Sequence, residues 1–532
     1  MSGLCQQTTN QPSFDIADVH VSPRSDWVKA PSRAFQGGYL AGDRYELRRA
    51  TMLDLIRTAY DVDAEKVSGG PSWLDYDRYE VSARTKRGMR PEALRLMLQK
   101  LLEERFKLVV KPGTEEVPGY TLKKSGRELK LKEAAPASPA AGCQNMGADL
   151  SGPTPQGRLQ CRNATLAVFA RTIQGLVSNQ FHKYPVLDST GLEGGWDIDF
   201  QYPLRMSADS QAGITVIVPQ LSAGLVEALD KIGLKLEPAK VPQPVLAVVS
   251  VNEQPSPNSP DVAKGLPPLP PPAFEVSAIK LPCNGDRSMS PRFETGGRVT
   301  AMCMAVAGLI RNAWGLPLYG DIIGLPKHFT QGTADNISIA AKAPDGVAPD
   351  PPHNSQARDV LLQMLKTLLI ERYKIQFHYE DRPMSAYTLV AAKPKLTRAD
   401  PAGRTGCARQ GQEQQGRVLM VRFACRNITM AQFAEQIQGY DSGSFTYPVV
   451  DGTGLEGAWD FTFNYDAMAS LYEHFPEFAG RGAAANGEAA EPSGALTFAA
   501  ALEKQLGLKL EVHKRPEPVL VIDHMEDKPT EN

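Results

Sequence analysis

The feature that most constrains this chain is that it contains itself twice. Cys161 to Gly175 (CRNATLAVFARTIQG) returns as Cys425 to Gly439 (CRNITMAQFAEQIQG), with ten of fifteen positions identical. Tyr184 to Asp197 (YPVLDSTGLEGGWD) returns in the same order as Tyr447 to Asp460 (YPVVDGTGLEGAWD), one residue out of step with the first match. Self-similarity of this kind means that one architecture is built twice, and it governs every later assignment. The repeats run from 13 to 251 and from 273 to 527, between a tail at 1–12 and a tail at 528–532. Residues 252–272 form a Pro-rich linker, and its eight prolines between Glu253 and Ala273 read as a semi-rigid spacer rather than a packed element. The two copies are expected to fold separately.

Each copy divides again into two half-units of the same element order. Thr51 leads an apolar stretch, followed by a strand near Tyr79, a helix after Pro91 and strands near Phe106–Val110 and Tyr120–Leu122. Thr165 leads the same series in the second half. Leu94, Met97, Leu98, Leu101 and Leu102 fall on one helical face, and Leu361, Met364, Leu365, Leu368 and Leu369 repeat that spacing. Pro91 suits a first helical turn. Thr429 with Gln432 has the spacing of a capping box. Trp459 to Tyr465 alternates with period two, as a strand with one covered face must. The expected class is α+β, two homologous domains whose half-units carry small, mainly antiparallel sheets covered by helices.

Cysteine placement bears on compartment. Cys143 and Cys161 are eighteen apart, as are Cys407 and Cys425, and each pair brackets a segment too poor in apolar residues to fold by itself. Both are expected to be structural disulfides, as are Cys283 and Cys303, which leaves Cys5 over. Matched pairs point to an oxidising compartment, hence a periplasmic or secreted protein. No signal peptide is visible after Met1, so a leader is expected to be missing from this chain.

Chemistry is sparse. Lys and Arg number 58 against 60 Asp and Glu, a balance that argues against a nucleic-acid partner. No apolar run is long enough to span a membrane. None of the eight histidines recurs at matching positions, and the phosphate-loop, zincin and nucleophile-elbow motifs are missing. Catalytic, cofactor-binding and metal residues are therefore expected to be none, and cofactors none. The most tempting carboxylates are Asp188 with Asp197 and Asp451 with Asp460, although the turn sequence between them favours a structural role. Arg162-Asn163 and Arg426-Asn427 could orient an anion at a helix start. Tyr184 and Tyr447 could be groove aromatics. Residues 481–494 read as a mobile insertion in the second copy.

Several stretches resemble a known family. Phe14-Asp-Ile-Ala-Asp-Val, Phe274-Glu-Val-Ser-Ala-Ile, Gly69-Gly-Pro-Ser-Trp-Leu74, Leu101 to Lys107, Val449 to Leu455 and Pro518 to Asp523 are similar to the signature of the soil-associated acidobacterial proteins, which carry a domain of unknown function. The resemblance covers nearly the whole chain as two tandem copies. Copy two departs from the Gly-Gly-Pro-Ser-Trp pattern, having Ile323-Gly-Leu-Pro326. The family implies secretion and, in some members, attachment to membrane peptidases; it supplies no catalytic residues. The reading that follows is an extracytoplasmic, non-enzymatic binding protein for an unknown envelope or extracellular ligand. Its alternatives are an envelope hydrolase using Asp197 and Asp460, or a structural surface protein.

Overall fold

The computed structural model describes residues 12–23, 37–86, 88–135, 142–149, 156–177, 184–209, 214–219, 223–281, 288, 290–316, 322–329, 336–348, 355–401, 403–415, 418–440, 447–474 and 496–530. It is an α+β protein of small, mostly antiparallel sheets, each covered by helices. The chain gathers into two compact units, residues 1–110 with 248–532, and residues 111–247. These units are not the same partition as the repeats, because the first 110 residues gather with the second copy.

One local device occurs four times among the described residues. A strand ends in a β-bulge whose extra residue has positive φ, and the chain then turns into a helix within three residues. The bulge residues are Arg49, Asn163, Cys303 and Asn427, with φ between 44° and 52°. Each register shift leaves one residue of the neighbouring strand opposite two. That opposing residue accepts the bulge amide N–H in every case: Glu80 Oε1 from Arg49 at 3.0 Å, Asp197 Oδ1 from Asn163 at 2.9 Å, Ser338 Oγ from Cys303 at 3.1 Å, and Asp460 Oδ1 from Asn427 at 2.7 Å. A buried donor that has left the ladder needs such an acceptor. The helices then start as their sequences demand. Thr51 with Asp54 and Thr429 with Gln432 form capping boxes, and Thr165 Oγ1 accepts from Val168 N. The fourfold organisation seen in the sequence is thus present in backbone geometry.

In the first half of repeat one, strands Ala17–Val21, Arg78–Arg84, Arg44–Thr51 and Tyr39–Ala41 form a sheet in that spatial order. The first half of repeat two gives Val276–Lys280, Ile337–Lys342, Arg298–Met304 and Arg292–Glu294 in the same order. Helices Met52–Tyr60 and Pro91–Phe106 accompany the first sheet, and Val306–Trp314 and Ser355–Tyr373 the second. The leucines and methionines expected on the long helices are buried in both copies. A fully buried Leu or Phe contributes about 1.5–3 kcal/mol relative to exposure, so these faces fix how helix and sheet mate.

Two expectations change. The segments between the paired cysteines are not plain loops: Gly142–Asp149 pairs with Gln156–Ala164, and Gly406–Gln415 with Val418–Thr429, as antiparallel hairpins. Cross-strand pairing satisfies the backbone of residues that lack apolar side chains. The short strands expected at Phe106–Val110 and Tyr120–Leu122 give way to one long strand, Val109–Lys124; its counterpart Gln376–Ala391 pairs with Leu508–His524 as a long ribbon in which Pro383 lies opposite Pro516, so that two residues without N–H share a rung.

The linker also differs from an extended spacer. It lies along the first half of repeat one, with Asn252 N and Ser256 N donating to the carbonyls of Phe106 and Arg105 at 2.7 and 2.8 Å. Asn258 Oδ1 accepts from Val19 N, Arg44 donates to Pro267 O at 2.5 Å, and Val262 and Leu266 are buried. The prolines remove donors that would otherwise need partners, while the carbonyls of Ser256, Gly265 and Pro267 accept from Arg105, Arg84 and Arg44.

Gly69 and Gly324 hold equivalent places in the two repeats, at φ +65° and +76°. A Cβ on Gly69 would lie 3.2 Å from Val248 O, and one on Gly324 would run into the Ile522 carbonyl oxygen. Despite the divergent sequence around 323–326, copy two keeps the glycine that lets the chain graze a strand.

Candidate functional site

A cleft of about 590 Å³ lies where the sheet of repeat one meets the helices Val306–Trp314 and Ser355–Tyr373 of repeat two. Its polar wall is built around the first bulge. The extra residue there re-aims the strand so that Arg48 and Arg49 both reach the second repeat. Arg48 Nη1 donates to Gln363 Oε1 at 3.2 Å, and Arg49 Nη2 meets Asp359 Oδ2 at 2.5 Å. Arg78 donates to the Arg49 carbonyl at 3.0 Å, and Ser22 Oγ donates to Glu80 Oε1 at 2.7 Å, which holds the bulge from beneath. Glu46, buried beside them, accepts from Ser82 Oγ at 2.5 Å and lies 3.7 Å from Arg48.

Burial pushes the Glu46 carboxyl upward, with the Ser82 hydrogen bond and the nearby arginines opposing. Burial likewise raises Asp359 against the pull of Arg49. The Tyr39 hydroxyl, desolvated at the same wall, is pushed up to about 12 and stays protonated at neutral pH. Trp314 closes one side, its ring edge-on to Phe377 at 5.4 Å and beneath the Lys366 ammonium at 4.8 Å. The arrangement offers fixed donors and acceptors of both charges. Among the described residues no group of three or more His, Cys, Asp or Glu is placed to hold a metal ion.

A second clamp joins the repeats away from the cleft. Arg404 grips Asp75 with both arms of its fork, Nε to Oδ2 at 2.6 Å, and also donates to Val67 O at 2.6 Å. Thr405 N donates to Ser72 O at 3.1 Å.

The residues singled out from sequence lie elsewhere. Asp197 and Asp460 hold the bulges at Asn163 and Asn427. Asp188 Oδ1 accepts from both Thr190 N and Thr190 Oγ1, and Asp451 treats Thr453 identically, each a self-contained turn. Tyr184 packs edge-on to Tyr120 at 6.2 Å, and Tyr447 against Tyr387 at 5.8 Å. Cys143–Cys161 and Cys407–Cys425 are disulfides between directly opposed strand residues, Cα atoms 4.0 Å apart. Cys303 is disulfide-bonded; Cys283, Cys5 and residues 481–494 lie outside the described residues.

Glu46, Arg48, Arg49 and Asp359 escaped the sequence reading because it demanded the same residue in both copies. At their places the other copy has Thr300, Met302, Cys303 and Glu92. The usable signal was Arg44 to Arg49 (RYELRR), four charged side chains in one short strand.

The family described as "Protein of unknown function (DUF3738)" matches residues 53–251 and again 307–525, and the chain belongs to it as a tandem of two such domains. No curated protein and no solved structure matches the chain. Among the described residues no helix is long and apolar enough to cross a membrane.

Proposed function

We propose that this chain is a periplasmic or secreted, non-enzymatic binding protein whose cleft between the repeats receives a small polar ligand. The cleft carries the reading: a buried carboxyl, two arginines and an amide are held by one another before any ligand arrives, and such preorganisation favours binding. Mixed charge and an adjacent indole suit a zwitterionic or hydroxyl-rich molecule. The two disulfides support an extracytoplasmic address, as does the resemblance to soil-associated acidobacterial proteins. We take residues 13–251 and 273–527 as the units of duplication.

The test is a thermal-shift screen of the full chain against amino acids, short peptides and oligosaccharides, repeated on Arg48→Ala. A compound that raises the Tm of the wild type and not of the variant supports the cleft. Hits that shift both equally, or no hit in any class, overturn the reading.

A further inference from the structure

We propose that this chain assembles head to tail with further copies of itself, the helix Pro91–Phe106 of one molecule docking on the outer face of the sheet containing Arg298–Met304 in the next. The template is internal, and the proposal does not depend on any ligand of the cleft. Within one chain, the outer face of the repeat-one sheet is covered in part by the repeat-two helix Ser355–Tyr373, through Arg48 with Gln363 and Arg49 with Asp359. Tyr39 is buried in the same interface, in one apolar cluster with Val360.

Repeat symmetry names the partners of a second such contact. The shared bulge places Met302 where Arg48 stands, and the strand pairing places Arg292 where Tyr39 stands. The shared leucine spacing places Leu96 where Gln363 stands and Glu92 where Asp359 stands. All four side chains are exposed, Met302 by 49% and Leu96 by 41%.

Repeating the internal contact between molecules sets Met302 against Leu96, exchanging a polar pair for an apolar one. Arg292 then comes to the side of Glu92, as Tyr39 comes within electrostatic range of Asp359. The swapped residues are therefore complementary in both polarity and charge. The Arg49–Asp359 ion pair has no counterpart, since Cys303 is disulfide-bonded, so the contact between molecules is weaker than the one within. Each molecule uses two different surfaces, so the contact is heterologous and propagates.

Sedimentation velocity of the full chain over a range of concentrations tests this, with Met302→Lys and Leu96→Lys, both surface changes whose folding is checked by circular dichroism. The wild type is expected to gain mass with concentration and each variant to remain a monomer. An equimolar mixture of the two variants is expected to stop at dimers, because each retains the one surface the other lacks. A wild type that is monomeric throughout, a variant that associates like the wild type, or a mixture that stays monomeric would overturn the proposal.

Discussion

The carboxylate of Asp460 accepts the amide N–H of Asn427 at 2.7 Å. The same relationship holds between Asp197 and Asn163, and the acceptor in each pair is the residue that faces the bulge across the ladder. A carboxylate that looks catalytic by sequence is here the partner of a backbone group that has left its sheet. Asp460→Ala orphans that donor and is expected to lower stability by about 1–3 kcal/mol. Asp460→Asn keeps an oxygen acceptor and is expected to lose clearly less. Equal losses in urea unfolding would refute the assignment.

Gly324 and Gly315 have similar backbone conformations, φ +76° and +64°, and different surroundings. A Cβ on Gly315 meets nothing within 4 Å, whereas one on Gly324 meets the Ile522 carbonyl. Gly315→Ala is expected to cost about 1–2 kcal/mol, the ordinary penalty of a left-handed residue. Gly324→Ala adds a backbone clash and is expected to cost well beyond that or to prevent folding. Chemical denaturation of the two variants side by side measures the difference.

Peptide mapping of native protein alkylated without reductant is expected to recover Cys143 joined to Cys161 and Cys407 joined to Cys425. Cys161 and Cys425 are buried, so reductant is expected to act mainly on unfolded chains. Replacing Cys407 and Cys425 by Ser is expected to cost on the order of 3 kcal/mol, the chain-entropy estimate for a loop of this length. An unchanged melting temperature in that double variant would show that the hairpin holds without its bridge.

Glu46 gives a pH dependence of definite sign. Burial holds its folded pKa above the ordinary glutamate value of 4.5, so the folded chain binds the proton more tightly than the unfolded chain. Stability from this group is therefore present below about 4.5 and declines as pH rises through the folded value. Glu46→Gln still accepts from Ser82 and removes the titration. Relative to the wild type, the variant is expected to be more stable at about pH 7 than at about pH 4. A stability difference that is flat with pH contradicts the buried-carboxyl account.

Arg404 spans the repeats, and Asp75 holds its fork. Arg404→Lys keeps the charge and loses the bidentate geometry, so it is expected to recover only part of the loss caused by Arg404→Ala. A double-mutant cycle with Asp75→Ala is expected to give a coupling of about 0.5–3 kcal/mol; zero coupling removes the clamp from the fold.

Local chemistry was legible in the sequence by itself. Repetition showed two copies and four half-units, and the spacing of Leu94 to Leu102 gave a helix and its buried face. Thr429 with Gln432 gave a helix start, and the matched cysteines gave two disulfides. Each of these signals acts between residues close in sequence or duplicated in register. The tertiary structure alone decided that the first 110 residues gather with the second repeat and that the proline-rich linker is bonded to a sheet. It alone brought Arg48 and Arg49 against Asp359 and Gln363, more than 300 positions away. Those contacts are made by residues that the repeats do not share, and no periodicity within one chain can announce a pairing between two different side chains. Packing of the repeat-one sheet against a repeat-two helix selects it, because there Arg49 meets the Asp359 carboxylate and Arg48 the Gln363 amide.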